Sequence, residues 1–549
     1  PLSLIATKRH LQLETRGPRG RILDRNGNIL AVDIAAKHVV VDPKFISKHG
    51  DARAVCDALS SRFGLNRNAL WEILNQTDKQ YVRVQKYVRS EAVEPLVAMN
   101  LKGVVFEDVP IRDYPKGVLG AHVIGYANYE GVGGAGIEQR MNSKLQGVAG
   151  LLVSQKDGHR REIYQRRTVD IAPQAGAEVI LTIDQQIQHF AEVALDKLTK
   201  KHDPLAAWAI VQDVRTGEIL AMASLPTYNP NRFNTAPPEW MSNRGILYGY
   251  EPGSTMKALV IAAALDDGIV RANNVFDCED GAWFYGGRTL HDSHPYGKLS
   301  VADILKKSSN IGTAKIALLM GDKKVYQELK AFGFGDRTGI DLPGEAVGIV
   351  NPLKEWTKLS ITRVAMGHEI NATSLQILNA VNTIANDGIR MRPYVIKKVV
   401  NEAGEILSET QPQELARPIR PETSKEMRRL LARVTQPGGT ATSAALKGYL
   451  VGGKTGTAQK VDFVNGGYAH GKYISSFVGF LPVENPAISI IVVADEPRKA
   501  GYYGGTVCAP AFKEIADQTV RYLRIPSNGS AAEEYMDPVS AIQEPDVLD

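Results

Sequence analysis

Ser254-Thr255-Met256-Lys257 sets an alcohol and a primary amine three residues apart at the front of an apolar run, Ala258 to Leu265, that reads as a buried helix. Pro252 and Gly253 end the segment before it, so the helix starts at Ser254 and carries Lys257 one turn further along the same face. An alcohol is a weak nucleophile near neutral pH, and a lysine takes its proton only where burial or a neighbouring cation has lowered the ammonium pKa. The helix N-terminus favours the negative charge that develops on attack. A second polar triplet, Ser308-Ser309-Asn310, lies between the helical stretch Val301 to Lys307 and an apolar helix beginning near Ile311. Residues two apart on such a turn can point the same way and offer a hydroxyl and a carboxamide to one cleft. A third element, Lys454-Thr455-Gly456-Thr457, follows Gly452-Gly453 and opens a strand. A cation, two hydroxyls and a glycine suit an extended peptide with a terminal carboxylate lying along the strand edge. Taken singly, each is an ordinary cap or strand start, although the spacing of Ser254 and Lys257 is what a nucleophile and its base need.

The elements that must position these residues are readable around them. Thr182-Ile183-Asp184 caps a helix running to about Lys201, with Ile187, Phe190, Ala194 and Leu195 on one face. Ala206 to Gln212 and Glu218 to Ala223 form a strand hairpin, and Gly456 to Val461, Ser475 to Phe480 and Ile488 to Ala494 are three further strands before a helix from about Ala509 to Leu523. A terminal helix at each end of an antiparallel sheet, with a long helical insertion between strands, predicts an α+β fold. Upstream, Asn26-Gly27 between apolar stretches predicts a hairpin, and Val55, Leu59 and Phe63 a helix. The texture changes near residue 175, which divides the chain into an extended, mixed pedestal over 1–175, a catalytic domain over 176–525 and an acidic tail over 526–549 expected to be disordered.

Composition narrows the function. A chain of 549 residues with 44% hydrophobic and 23% charged residues predicts two or three globular domains. The net charge of +5 comes with no Lys/Arg stripe, which argues against nucleic acid as a partner. Cys56, Cys278 and Cys508 lie far apart without CxxC spacing, so they read as buried thiols and not as a zinc site or disulfide framework. The glycine-rich stretch Gly131 to Gly136 lacks a following GK[ST] and reads as a loop. His291-Asp292-Ser293-His294 lacks nearby third and fourth metal ligands and reads as a loop lining the cleft. No metal or organic cofactor is expected. No run of 18 apolar residues and no signal-peptide pattern occurs in the chain.

The set SxxK, SxN and KTGT resembles the active-site motifs of the penicillin-binding proteins and serine β-lactamases. Tyr250 to Lys257, Leu225 to Asn231, Pro437-Gly438-Gly439-Thr440 and Gly453 to Gln459 resemble class B penicillin-binding proteins, and Arg19 to Ala31 resembles the opening of their non-catalytic pedestal, so the likeness covers about residues 16–525. Val41-Asp42-Pro43-Lys44, Asp495-Glu496-Pro497 and Ala500-Gly501-Tyr502-Tyr503-Gly504-Gly505 are most similar to the division-specific branch. The elongation-specific branch, a β-lactamase or sensor domain, and an inactive divisome scaffold are the alternatives. Met366-Gly367-His368-Glu369 departs from the aromatic Gly-Tyr-Gly stretch of many relatives, which limits what can be carried over about the cleft wall.

What the resemblance implies is specific. It assigns a penicillin-binding, β-lactamase-like fold and a D,D-transpeptidase acting on stem peptides that end in D-Ala-D-Ala, with β-lactams binding covalently at Ser254. It makes Lys257 the base, Ser308 a proton relay, Asn310 a holder of the donor amide, and the backbone N–H groups of Ser254 and Thr457 the oxyanion hole. Lys454 keeps Lys257 neutral, Thr455 and Thr457 bind the terminal carboxylate, and Gly456, Tyr502 and Tyr503 line the substrate site. It also implies a membrane anchor upstream of this chain, an extracytoplasmic location, and a SEDS-type glycan polymerase with other divisome proteins as partners.

Overall fold

The computed structural model describes residues 10–156, 162–163, 167–462 and 466–527; the tail expected from 526 onward lies, from 528, outside the described residues. The pedestal is built on β1 (Ile22–Leu23) and the long β2 (Ile29–Val41), followed by α1 (Ala52–Phe63), β3 (Val82–Arg89) and β4 (Val104–Asp113). Asp24 makes the β1–β2 turn by accepting the N–H groups of Asn26 and Asn28 on one carboxylate oxygen, both at 2.8 Å, while Gly27 takes the positive φ that such a turn needs. Helix α1 begins where Asp51 accepts the Arg53 and Ala54 N–H groups, and it seats Val55, Cys56 and Leu59 on β2.

The pedestal sheet does not stop at the domain boundary expected at residue 175. Strand β1 pairs in parallel with β5 (Glu178–Leu181), so one sheet runs from β3 and β4 through β2 and β1 into the catalytic part of the chain. Asp24 also accepts the N–H of Gln185 at the start of α2 (Gln185–His202), beside that helix's own cap, Asp184. Ile22, Leu30, Tyr114, Val123 and Ile137 are buried in the same core as Trp208, Ile210 and the helix behind Ser254.

The catalytic domain is a five-stranded antiparallel sheet made of β6 (Ala206–Asp213), β7 (Ile219–Leu225) and three later strands, with an insertion between them. That insertion holds α3 (Met256–Asp266), the hairpin β8 (Ala282–Tyr285) and β9 (Arg288–His291), α4 (Val301–Lys307), α5 (Asn310–Met320), α6 (Ser374–Ala385) and β10 (Ile396–Val400), which extends the pedestal sheet by pairing with β5. Then come β11 (Gly452–Val461), β12 (Tyr468–Leu481), β13 (Ile488–Asp495) and α7 (Ala509–Tyr522), giving the order β7-β6-β13-β12-β11 with β11 at the edge.

Both faces of this sheet are covered, which is why β6 reads as an unbroken apolar run. Ala207, Ala209 and Val211 join the core under α2 and α7, while Ala206, Trp208 and Ile210 join the core under α3 and α6. Trp208 is fully buried, and its indole N–H donates to Ser374 Oγ at 2.7 Å, so its burial, worth roughly 2–3 kcal/mol, leaves no donor unpaired. Helix α3 has every residue from Met256 to Leu265 buried, as expected of a helix apolar all round. All three cysteines are free and buried.

The KTGT strand is longer than its sequence suggests. It starts at Gly452, so Lys454 to Thr457 lie inside it and not at its first residues. A Cβ at Gly452 would meet the Phe480 ring and one at Gly453 the Phe477 ring, so the two glycines let β11 lie flush on β12.

Candidate active site

Ser254 sits on a tight helical turn, Gly253–Thr255, that runs directly into α3. Gly253 takes φ +58° there, and Thr255 Oγ1 donates to the Pro252 carbonyl at 2.9 Å. The turn is gripped from two sides. Gly367 lies so close that a Cβ on it would fall 2.2 Å from the Gly253 carbonyl oxygen, and one on Gly456 would meet Ser476 Oγ and the Pro252 carbonyl. The close approach that Gly456 permits is therefore internal: it seats the nucleophile turn against the edge strand. Ser254 is partly exposed, mounted on a rigid and wholly buried helix.

Lys257 is fully buried one turn below. Its Nζ donates to the Ser308 carbonyl and to Asn310 Oδ1, each at 2.6 Å, and lies 3.3 Å from Ser308 Oγ. Lys454, equally buried on β11, donates to the same Ser308 hydroxyl at 2.9 Å. Burial lowers the Lys257 ammonium to about 7 against the opposing pull of Asp292. Burial first, and the charge of Lys257 second, push Lys454 well below the usual lysine range. The charge of Lys257 lowers Lys454, whereas burial and not the charge of Lys454 lowers Lys257, the reverse of the influence expected between them. The Ser308 hydroxyl between them can donate to whichever amine is neutral.

Ser308 reaches both amines because it adopts the left-handed conformation, φ +62°, at the end of α4. A non-glycine residue there costs on the order of 1–3 kcal/mol. The next residue, Ser309, caps α5 by accepting the Gly312 N–H at 3.0 Å. Asp292 holds this corner: it accepts the Ser309 hydroxyl at 2.6 Å, the Ile311 N–H at 3.1 Å and the Asn310 N–H, while the His291 carbonyl takes Asn310 Nδ2 at 2.7 Å. The loop read as lining the cleft thus orients the SxN triplet, and Asp292 is a positioning residue that sequence reasoning missed. Its signal, a lone carboxylate in a polar loop, is too common to single out. Among the described residues, no group of three or more His, Cys, Asp and Glu side chains is arranged to hold a metal ion.

The far side of the cleft is β11. A Cβ on Gly253 would lie 3.5 Å from the Thr457 backbone, so the Ser254 turn and the Thr457 segment of this edge strand adjoin. Thr455 Oγ1 is 3.2 Å from Thr440 Oγ1, and Thr457 Oγ1 accepts the Gly504 N–H at 3.1 Å. Tyr473, Tyr502 and Tyr503 stack in sequence, with centroids 4.2 and 4.5 Å apart, and the Tyr502 carbonyl accepts the Ser475 hydroxyl. At the opposite rim, His368 Nδ1 lies 2.8 Å from Glu251 Oε2 and 3.1 Å from the Tyr468 hydroxyl, a polar cluster at the departure Met366-Gly367-His368-Glu369.

A hydroxyl at the front of a buried helix, with a buried amine one turn along whose ammonium is lowered to about 7, is an arrangement suited to a serine nucleophile and its base. Residues 207–517 match the penicillin binding protein transpeptidase domain family, and residues 14–181 match the penicillin-binding protein dimerisation domain. The chain is 34% identical over 508 residues to the probable peptidoglycan D,D-transpeptidase PenA of Neisseria gonorrhoeae, covering 92% of this chain and 85% of that one. It is 32% identical over 512 residues to the peptidoglycan D,D-transpeptidase FtsI of Escherichia coli K12, covering 92% and 84%. Penicillin binding protein 3 from Mycobacterium tuberculosis, solved in complex with aztreonam, superposes with a TM-score of 0.73 at 26% identity, covering 94% of this chain and 98% of that one. The chain belongs to the penicillin-binding protein transpeptidase family, and the dimerisation domain ahead of its transpeptidase domain makes it a class B member.

Proposed function

We propose that this chain is a serine-type peptidoglycan D,D-transpeptidase of the division-type branch in which Ser254 forms the acyl-enzyme. The observation that carries the residue assignment is the burial of Lys257 beneath Ser254 with its ammonium lowered to about 7. Ser254 Oγ attacks the penultimate carbonyl of a stem peptide ending in D-Ala-D-Ala and passes its proton to neutral Lys257. The C–N bond of the terminal D-Ala then breaks, and the leaving amine takes a proton through Ser308, which lies between Lys257 and Lys454. An amine from a second stem attacks the ester, forms the cross-link and regenerates the Ser254 hydroxyl. The N–H groups of Ser254 and Thr457 receive the oxyanion.

Thr455 and Thr457, with Lys454 behind them, hold the terminal carboxylate. Asn310 keeps a second N–H on Nδ2 for the donor amide, since one goes to the His291 carbonyl and Oδ1 takes Lys257. Gly456 lets β11 close on the nucleophile turn, and Tyr502 and Tyr503 wall the cleft beyond Thr457. The similarity to PenA and FtsI supports the division-type reading over the elongation-specific one. On the same grounds the reading includes an extracytoplasmic catalytic domain, a membrane anchor outside this chain, and a SEDS-type polymerase with divisome proteins as partners. Among the described residues no helix is long and apolar enough to cross a membrane. The pedestal and catalytic domain divide at about residue 175 as units of function, although they share a sheet and a core.

A β-lactam adds once per chain at Ser254 and stays bound, because the opened ring keeps its amine tethered where the acceptor must enter. Intact-mass and peptide-mass analysis after benzylpenicillin treatment tests this. Labelling that persists unchanged in Ser254→Ala rejects the nucleophile, and rapid return to unmodified mass with excess hydrolysed drug identifies a β-lactamase.

A further inference from the structure

Two cations stand beside the acyl-transfer cleft without a carboxylate. Helix α4 ends at Lys306-Lys307, directly ahead of the Ser308 hydroxyl that lies between Lys257 and Lys454, and both lysines are half-buried. Their ammonium groups converge on Gly438 in the exposed Pro437–Thr440 loop: Lys307 Nζ donates to the Gly438 carbonyl at 2.9 Å, and a Cβ on Gly438 would lie 3.6 Å from each Nζ. Lysines in the last turn of a helix ordinarily answer its free carbonyls. Here Lys307 reaches across to the loop instead, and Lys306 has no hydrogen-bond or ion-pair partner among the described residues. Asp303, one turn back on α4, is already taken, by Arg433 at 3.1 Å and by the Ser300 hydroxyl at 2.7 Å. Lys306, Lys307 and Arg433 thus face a single carboxylate, and the two lysines keep their charge to offer.

Two contacts place this pair along the cleft. Thr440 Oγ1 is 3.2 Å from Thr455 Oγ1, and Ser308 follows Lys307 in the chain, so the loop and the end of α4 close the cleft beyond Thr455. On the reading above, that is where the leaving group departs: Thr455 and Thr457 hold its carboxylate, and Ser308 hands its amine a proton. Attack on the ester by an amine is acylation run backwards, so by microscopic reversibility the acceptor nitrogen enters where the leaving nitrogen was. The rest of the acceptor then runs past Thr455, between Thr440 and the end of α4. An acceptor stem of the same kind as the donor ends in a carboxylate, and unpaired ammonium groups take a carboxylate by charge-assisted hydrogen bonds. Positive charge there also disfavours the ammonium form of the incoming amine, and only the neutral amine attacks.

We propose that Lys306 and Lys307, with the Pro437–Thr440 loop, form the subsite for the acceptor stem and bind one of its carboxylates. This subsite rests on the transpeptidase reading above and takes the second substrate of the same reaction. With the stem held there, its amine nitrogen forms the bond to the ester carbonyl carbon, the bond from that carbon to Ser254 Oγ breaks, and one proton passes from the amine through Ser308 and Lys257 to Ser254 Oγ. No further reactant is needed. Water has no carboxylate to bind, so the pair favours transfer over hydrolysis.

The test gives the full chain a thioester of an acylated D-alanine as donor. The acceptors are a synthetic stem peptide with a free side-chain amine and free carboxylates, and the same peptide with its carboxylates converted to carboxamides; mass spectrometry reads the ratio of transfer to hydrolysis. The acid peptide is expected to be the better acceptor for the unaltered chain. Lys306→Gln and Lys307→Gln are each expected to lower its transfer ratio roughly tenfold, the size of one charge-assisted hydrogen bond, and to leave the carboxamide peptide's ratio in place. Lys306→Arg, which keeps the charge, is expected to retain most of the transfer. Lys307→Gln also releases the loop, but Lys306 has no partner to lose, so its variant reports on the acceptor alone. No transfer to the acid peptide by the unaltered chain, equal transfer to the two peptides, or an unchanged or equal ratio for both peptides in the variants overturns the subsite. Benzylpenicillin labelling at Ser254 uses no acceptor and is expected to keep its rate in both variants; a fall there puts the lysines on the donor side and also overturns it. An unaltered chain that is not labelled at Ser254 removes the transpeptidase reading itself, and the subsite with it.

Discussion

The pedestal and the catalytic cleft both bury cations completely, and they treat them in opposite ways. In the pedestal, Arg19 and Arg112 converge on Glu138: Arg19 Nε lies 2.5 Å from one carboxylate oxygen, Arg112 Nε 2.6 Å from the other, and Asp33 is 3.2 Å from Arg112. Burial alone would lower the Arg112 pKa, but Glu138, Tyr114 and Asp33 together carry it above its ordinary value. In the cleft, Lys257 and Lys454 face each other across one serine hydroxyl, with neutral oxygens as their hydrogen-bond partners, and both are lowered. Residue choice follows the difference. A guanidinium stays charged whatever surrounds it and forms a fixed joint; an ammonium gives up its proton when burial demands it and becomes a base. The same burial produces structure in one place and reactivity in the other, according to whether a carboxylate is within reach.

The largest effect expected from this contrast is at Lys257. Lys257→Arg keeps the charge and removes the ability to lose it, so acylation by benzylpenicillin falls by about 10²–10⁴-fold, the usual worth of a positioned general base. Stopped-flow acylation with an intact-mass endpoint measures this, and a near-normal rate removes Lys257 from the mechanism. Lys257→Met sharpens the comparison because it moves stability in the other direction. The unfolded chain holds the Lys257 proton to an ordinary 10.5 and the folded chain only to about 7. The unfolded state therefore binds more protons between these values, and the fold gains stability as pH rises through that window. Below it the charged amine costs stability in full, so Lys257→Met is inactive yet melts higher at pH 7; a lower melting temperature there contradicts an uncompensated buried charge.

Next in size is Glu138→Gln. It leaves two buried guanidinium groups with a neutral acceptor, a loss of about 3–5 kcal/mol by analogy with other broken buried pairs. Calorimetry is expected to show one transition at markedly lower temperature, because the pedestal residues Ile22, Tyr114 and Ile137 share a core with Trp208 and α3. Two separated transitions, with only the lower one shifted, would show that the shared sheet does not couple the two parts. The penicillin acylation rate of the molecules still folded is expected to be unchanged.

What was legible in the sequence was local. Ser254 and Lys257 could be picked out because three residues along a helix is a fixed spacing that suits a nucleophile and a base, whereas Ser308 and Asn310, which alone read as a cap between two helices, stood out only through the resemblance of the three motifs taken together to a known family. The alternation in β6 and β13 was hidden, since sheets covered on both faces show continuous apolar runs, but the strands themselves were visible. Long-range pairing was not. Nothing near Ile22 announces that it lies beside Val179, so the sheet joining pedestal to catalytic domain could not be read from a change of texture at residue 175. The early start of β11 depends on Gly452 and Gly453 fitting against Phe480 and Phe477, some 25 residues away in sequence. The Glu251, His368 and Tyr468 cluster exists only because Gly367 packs on Gly253, and sequence recorded it merely as a departure from a familiar pattern.

The smallest expected effect lies where the two modes of burying charge meet. Asp292 is the carboxylate that reaches toward the cleft pair without bonding either lysine: it raises Lys257 through space while its hydrogen bonds go to Ser309, Asn310 and Ile311. Asp292→Asn preserves an acceptor for the two backbone N–H groups. It replaces the other oxygen with a donor facing Ser309 Oγ, which already accepts from Gly312, so the contact loses roughly 1.5–3 kcal/mol as a charge-assisted hydrogen bond. That loss alone would lower the melting temperature and leave the pH profile of acylation in place. Removing the negative charge does more. The acylation rate of the unaltered chain rises with pH as Lys257 deprotonates near 7 and then levels off; without Asp292 the ammonium is easier to discharge, so this limb moves to lower pH. The expected result is a displaced acid limb with a plateau rate within about tenfold of the original, since no group touching the substrate is altered. A limb that stays in place while stability falls would make Asp292 a cap for α5 and nothing more. A limb that moves to higher pH would mean that the base titrating in the profile is not the lysine this carboxylate faces.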